Sequence, residues 1–121
     1  MSIENRSTGV VRFTSGLPPA EPYLPAADRI LAGHPEQRAW VLYQSEDEKY
    51  LCGVWECAPG KWRVVFDEHE FCQLLAGEII IVSDAGETTQ LGPGDAFVTP
   101  KGFTGTWEVR VAARKTFALY L

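Results

Sequence analysis

The stretch GKWRVVFDEHEFCQLLAG, residues 60–77, decides the fold that this chain is expected to adopt. Residues 62–66 are mostly aromatic and β-branched, a composition typical of a strand. The acidic corner at residues 67–69 then turns the chain, and residues 70–75 are predicted to form a returning strand that Gly77 closes. The segment is therefore predicted to be a β-hairpin.

Short β-rich runs separated by turn residues continue on both sides of this segment. The remaining strands are predicted at residues 39–44, 50–57, 78–83, 87–91, 96–99, 104–111 and 114–121. About nine short strands with Gly and Pro turns, and no long amphipathic helix, favour an antiparallel sandwich or barrel. The fold class is therefore predicted to be all-β.

Residues 1–37 are predicted to form an extended arm, and residues 38–121 a single domain. Half of the eight prolines lie in residues 18–25, which favours extended backbone. Residues 26–32 are expected to form a short helical turn that Gly33 ends. We expect the arm to pack on the barrel of its own chain or of a partner.

The composition excludes several classes of partner. A net charge of −5 gives no basic surface for nucleic acid or for an anionic membrane. No signal peptide and no membrane-spanning run are evident. The cysteines Cys52, Cys57 and Cys72 form no C-x-x-C motif, so free thiols in a reducing cytoplasm are expected.

Two glycine-punctuated segments carry a family resemblance. The first runs from Glu70 to Gly77, and the second contains Gly94, Pro100 and Gly102. In this order and separation they resemble the two motifs of the cupin superfamily, which are small β-barrels of the jelly-roll class. The resemblance covers about residues 38–121, and it implies an antiparallel jelly-roll β-barrel (RmlC-like) preceded by the proline-rich arm.

Three further runs narrow the resemblance. They are Gly53-Val54-Trp55-Glu56, residues 67–72, and Gly105-Thr106-Trp107-Glu108-Val109. These look like the small single-domain cupins that are grouped with ureidoglycine aminohydrolase and with the ethanolamine-utilisation cupins.

The metal ligands of the family are mostly missing. The resemblance places three histidine ligands at Val64, Phe66 and Gly105, none of which has a donor side chain, and it leaves Glu70 in place. A catalytic metal site normally needs about three protein ligands. We therefore predict no metal and no other cofactor.

A non-standard metal site stays open at the acidic corner. Asp67, His69 and Glu70 are close in sequence and could hold a metal in an enzyme similar to ureidoglycine aminohydrolase. Strand alternation places Glu70 and Cys72 on one face, whereas the direction of the two corner side chains is not predictable.

Strand alternation also gives the side chains that should point into a cupin barrel. They are Trp62, Val64, Phe66, Glu70, Cys72, Leu74, Thr99, Gly105, Trp107 and Val109. Such a set either lines an aromatic pocket for a small molecule or fills the barrel completely. Glu70 is the candidate general acid/base, because a carboxyl group among aromatic rings suits proton transfer.

Three functions follow from these observations. The first is a metal-free cytoplasmic cupin that binds an unidentified organic small molecule, the second is the metalloenzyme just described, and the third is a non-catalytic dimeric module with a closed barrel. A homodimer is expected, because sheet edges and an apolar arm favour the pairing of two copies.

Overall fold

The computed structural model describes residues 9–13 and 16–121; residues 1–8 and 14–15, which belong to the predicted arm, lie outside the described residues. Among the described residues, no helix is long and apolar enough to cross a membrane. The strands are β1 (Ile30–Gly33), β2 (Gln37–Gln44), β3 (Tyr50–Cys57), β4 (Gly60–Val65), β5 (His69–Ser83), β6 (Thr88–Leu91), β7 (Ala96–Thr99) and β8 (Thr104–Tyr120). All of their pairings are antiparallel, which confirms the predicted fold class.

Two long strands, β5 and β8, run through both layers of the fold. One edge of β8 pairs with β4 along its first half and with β3 along its second half, and the other edge pairs with β5. Strands β2 and β7 extend the layer that contains β3, and strands β1 and β6 extend the layer that contains β4. The two layers therefore share β5 and β8 and form the predicted jelly-roll barrel.

Bulges bend the two long strands. The register of β5 against β8 is irregular between Leu74 and Ile79. Gly77, in this bend, has a φ of 93°, a left-handed conformation that glycine adopts without steric cost. Bulges let a strand change direction without ending, so the strands predicted at 70–75 and 78–83 are one strand. Strand β8 joins the two strands predicted at 104–111 and 114–121 in the same way.

The predicted hairpin at residues 60–77 is wrong. Strands β4 and β5 pair with opposite edges of β8 and not with each other. Residues 66–68 cross from one layer to the other, and the backbone of Phe66 exchanges hydrogen bonds with Gly102 and Phe103. This corner has no Gly or Asn to form the tight turn that hairpins prefer, so the chain passes between the layers.

The described part of the arm packs on the barrel of its own chain. The helical turn predicted at residues 26–32 is limited to a 3-10 turn at Ala27–Arg29, and β1 follows it directly and pairs with β4. Tyr23 forms an isolated antiparallel bridge with Gln37. The arm therefore adds wall to the barrel, while the boundary between residues 37 and 38 stays a prediction.

The core lies between the two layers and has an aromatic half. Trp55, Trp62 and Trp107 are all buried in one cluster with Leu74 and Ile79. The two aliphatic side chains come from either side of the bend in β5 and are fully buried. The three indole rings lie at the part of the core that borders the site described next.

Candidate functional site

A cavity of about 600 Å³ lies inside the barrel, beside the arm. This volume is within the usual range of small-molecule sites. Strands β2, β3, β4, β5 and β8 contribute to its wall, and the arm contributes residues between Tyr23 and Arg29. The inward-facing side chains therefore leave part of the barrel empty, whereas in the predicted closed module they would fill it.

Trp107, on β8, is the centre of the aromatic wall. Its ring stacks on Phe66 at a centroid distance of 6.0 Å and meets the ring of Trp55 edge-on at the same distance. Trp62, its direct neighbour on β4, lies 6.3 Å away. Aromatic pairs prefer such offset and edge-to-face arrangements, so the wall is a fixed array of rings.

A buried ion pair forms the polar part of the wall. Nζ of Lys115 lies 3.1 Å from Oε2 of Glu70, and the two side chains are only 4% and 11% exposed. The same ammonium group lies 4.4 Å from the ring centroids of Trp55 and Trp107. Cation–π attraction is strongest at tryptophan faces from which water is excluded. One carboxylate and two indole rings therefore enclose the positive charge.

The register of β8 produces this arrangement. Lys115 is the direct partner of Trp55 on β3 and of Leu74 on β5. Alternation along β8 places Lys115 on the same face as Ala113 and Phe117, which are both buried. The lysine must therefore enter the barrel, where it meets Glu70 on β5.

The ion pair keeps the lysine charged. Burial by itself lowers the pKa of Lys115, but its interactions with Glu70 and Cys72 outweigh burial and raise that pKa above its ordinary value of 10.5. At neutral pH the amine is thus protonated and is not a nucleophile. Lys115 can hold a neighbouring acceptor, but it cannot attack a carbonyl group.

Glu68 is a second carboxyl group in the wall. It is half-buried, and burial together with the nearby Glu70 and Asp67 raises its pKa, while Lys101 lowers it. Within residues 9–13 and 16–121, no ion pair is formed by Glu68. The wall therefore holds one carboxylate that is paired and one that is not.

The structure divides the predicted pocket residues into two sets. Trp62, Val64, Phe66, Glu70 and Trp107 lie in the cavity wall. The wall does not include the other set, which is packed behind it: Cys72, Leu74, Thr99, Gly105 and Val109.

Sequence patterns did not lead to Lys115, Gln37, Glu68 or the place of the arm in the cavity wall. Lys115 had a signal, because it alternates in phase with apolar residues of its strand. Gln37 had none, since it precedes the strand that was predicted to begin at residue 39. Its side-chain oxygen accepts a hydrogen bond of 2.8 Å from the indole nitrogen of Trp55.

The residues at the cupin metal positions do not fit a metal ion. Val64 and Phe66 present apolar side chains to the cavity, and Gly105 has none. The remaining ligand position, Glu70, is bound to the ammonium group of Lys115. In the part of the chain that the structure describes, no group of three His, Cys, Asp or Glu side chains is placed to hold a metal.

The alternative metal set at the acidic corner is likewise not formed. Nδ1 of His69 accepts a hydrogen bond of 3.1 Å from the backbone nitrogen of Lys101, and its ring stacks on Tyr120. Glu70 instead points to the interior. The corner side chains Asp67 and His69 therefore do not join Glu70 in one ligand set.

The cysteines are expected to differ strongly in reactivity. Burial raises the pKa of both Cys57 and Cys72 from 9.0 to about 12, so at pH 8 their thiolate fraction is about a thousandfold below that of an ordinary thiol. Titration of the native protein with DTNB should show one fast thiol, Cys52, which is partly exposed. Unfolding in urea should release all three, and Cys52→Ser should remove the fast phase. Two fast thiols in the native protein would contradict this assignment.

Comparison with known proteins places these features in a family context. The family model for EutQ-like cupin domains matches residues 44–117. None of the curated proteins matches the sequence of the chain.

Solved structures share the fold. A protein of unknown function of the DUF861 family from Pseudomonas syringae is 21% identical with a TM-score of 0.77, and the match covers 85% of this chain but only 45% of that protein. The EutQ protein of Clostridium difficile is 20% identical with a TM-score of 0.63, over 81% of this chain and 79% of that protein. A DUF861 family protein from Thermotoga maritima is 26% identical with a TM-score of 0.52, over 53% of this chain and 73% of that protein.

Proposed function

This chain belongs to the family of EutQ-like cupin domains, and we propose that it binds an organic small molecule in its aromatic cavity without a transition metal. The observation that carries the proposal is the ion pair between Lys115 and Glu70 in the cavity wall. The ammonium group of Lys115 neutralises Glu70, which is the one metal-ligand residue of the cupin motifs that this chain keeps. The space beside the pair stays available to a ligand.

Each part of the site has a role in binding. The rings of Trp62, Phe66 and Trp107 offer apolar surface, which favours a ligand by about 25 cal/mol for each Å² removed from water. The described arm between Tyr23 and Arg29 covers one side of the cavity and would restrict access of water to a bound molecule. The polar groups of the wall fix the orientation of the ligand.

The proposal assigns Glu70 a structural role and not proton transfer. A general acid or base must offer its carboxyl group to the substrate, whereas Oε2 of Glu70 accepts a hydrogen bond from Lys115. Binding without catalysis is therefore the function that this geometry supports best.

Binding can be tested with the uncharged apolar dye phenylnaphthylamine. We expect it to enter the cavity and to quench tryptophan emission by energy transfer, because three tryptophans line the wall. Ala39→Phe should weaken binding about tenfold or more, since the new ring takes space inside the cavity. Ala96→Phe places the same change on the outer surface of β7 and should have no effect. Equal binding by both variants, or none by the wild type, would contradict the proposed site.

Elemental analysis tests the metal-free part of the proposal. Protein purified without chelators should contain far less than one transition-metal ion per chain, because the cavity lacks the donor set that such ions require. The content should stay low after incubation with excess Zn²⁺ and desalting. Near-stoichiometric manganese, iron, nickel or zinc in either sample would contradict it.

The homodimer remains a proposal. Phe71 and Val98 are direct neighbours on β5 and β7, and they are 48% and 59% exposed. Adjacent apolar side chains on an outer sheet face favour association, and a second copy of this chain is the partner that we expect.

A further inference from the structure

The indole N–H of Trp107 lacks a hydrogen-bond partner. It is the one buried side-chain polar atom without a partner among the described residues, and the residue is only 2% exposed. Buried donors without an acceptor are rare, because folding removes their hydrogen bonds to water without replacing them. Such a group in the wall of a cavity calls for an acceptor.

The packing around Trp107 offers none. Its ring contacts the rings of Phe66, Trp55 and Trp62 and lies under the ammonium group of Lys115. Aromatic carbon atoms and an ammonium group do not accept conventional hydrogen bonds. The residue also lines the cavity, which has room for a molecule that brings its own acceptor.

Trp55 provides the contrast. Its indole N–H donates to Oε1 of Gln37 at 2.8 Å, so this second wall tryptophan is satisfied. That bond also fixes the amide of Gln37 with its oxygen toward Trp55, and its NH₂ group has no acceptor among the described residues. The wall therefore has two unused neutral donors, the N–H of Trp107 and the NH₂ of Gln37.

The charges in the wall are balanced. Three basic and two acidic side chains line the cavity. Lys115 is paired with Glu70, and Arg63 is paired with a carboxylate outside the wall, which leaves one basic and one acidic group. These two groups, Arg29 and Glu68, are opposite in charge, so the wall has no net charge that would select a charged ligand.

We propose that the cavity is built for a flat, uncharged ring compound that carries a carbonyl-type acceptor, and that this acceptor takes the hydrogen bond of the Trp107 indole N–H. The rings of Phe66 and Trp62 supply the apolar surface for the ring, and the unused NH₂ group of Gln37 is a second donor for the same class of ligand. The inference rests on the proposed function, because it names the kind of molecule that would occupy the same cavity.

Nuclear magnetic resonance of ¹⁵N-labelled protein tests the proposal on the wild type. The four tryptophans give separate indole N–H signals, and the probes are benzamide, benzoate and toluene. Benzamide should bind about fivefold tighter than toluene, the usual net value of one hydrogen bond, and should shift the Trp107 indole proton downfield. Tighter binding of benzoate than of benzamide, or equal binding of toluene and benzamide, would overturn the proposal.

A variant isolates the donor. Trp107→Phe keeps an aromatic ring but removes the N–H, so the preference for benzamide over toluene should disappear while toluene still binds. Trp40→Phe is the matched control, because the indole N–H of Trp40 donates outside the cavity to the carbonyl oxygen of Pro18, and the preference should persist. Toluene binding without any preference in the wild type would overturn the ligand class alone. Failure of all three probes and of the apolar dye would overturn the proposed function as well.

Discussion

Lys115→Met is expected to destabilise the protein by about 3–5 kcal/mol, the usual cost of removing one partner of a buried ion pair. Methionine can fill much of the space of the lysine stem, so the loss of packing is small. The main cost is that Glu70 would remain buried inside the barrel without its cation. Urea unfolding at pH 7, followed by circular dichroism, measures the difference in the free energy of unfolding.

Two comparisons separate this effect from a general loss of packing or charge. Lys115→Met combined with Glu70→Gln removes both charges and should recover most of the lost stability, because no ion is then left unpaired. Arg63→Met breaks the ion pair between Arg63 and Asp84, in which nitrogen and oxygen lie 2.7 Å apart and the two side chains are 41% and 48% exposed. This substitution should lower the free energy of unfolding by less than about 1 kcal/mol. If Lys115→Met costs no more than Arg63→Met, the buried pair does not stabilise the barrel.

Local sequence patterns were sufficient for most of the strands. The bounds predicted for β3 and β7 agree with the structure because charged residues or Gly and Pro flank both runs. The bends in β5 and β8 were read as strand ends, since small residues such as Ala76 and Gly77 are typical of both a turn and a bulge. The hairpin failed for a different reason, because pairing partners depend on how the layers assemble and not on local composition.

The site shows the same division between local and long-range information. Alternation along β4 placed Trp62 and Val64 on the inward face, because period-two alternation holds within one strand. The partner of Glu70 could not be found in this way. Lys115 lies 45 positions further along the chain, and the two side chains meet only because β5 pairs with β8. The cavity also depends on the arm, whose packing on a barrel was predicted but whose place in the cavity wall was not.

Gly105→Ala is expected to cost about 3 kcal/mol, the upper end of the usual range for overpacking. Gly105 pairs with Ser83 on β5, where the two long strands run close together. A Cβ atom at position 105 would overlap the carbonyl oxygen of Val82 and would lie 3.0 Å from the Cα atom of Ser83. Both are backbone atoms of a paired strand, so the added methyl group has no flexible neighbour to displace.

This close approach explains why the motif-two metal ligand cannot be restored by one substitution. The family resemblance places a histidine at position 105, and an imidazole there would need β5 to move away from β8. Gly92→Ala is the matched control, because a Cβ atom added at Gly92 would have no neighbouring atom within 4 Å. The stability of this variant should stay within about 0.5 kcal/mol of the wild type. The free energies of unfolding in urea compare the two variants. Unchanged stability of Gly105→Ala would mean that β5 and β8 leave room for a side chain at position 105. The missing metal ligand would then reflect the choice of residue alone and not the packing of β5 against β8.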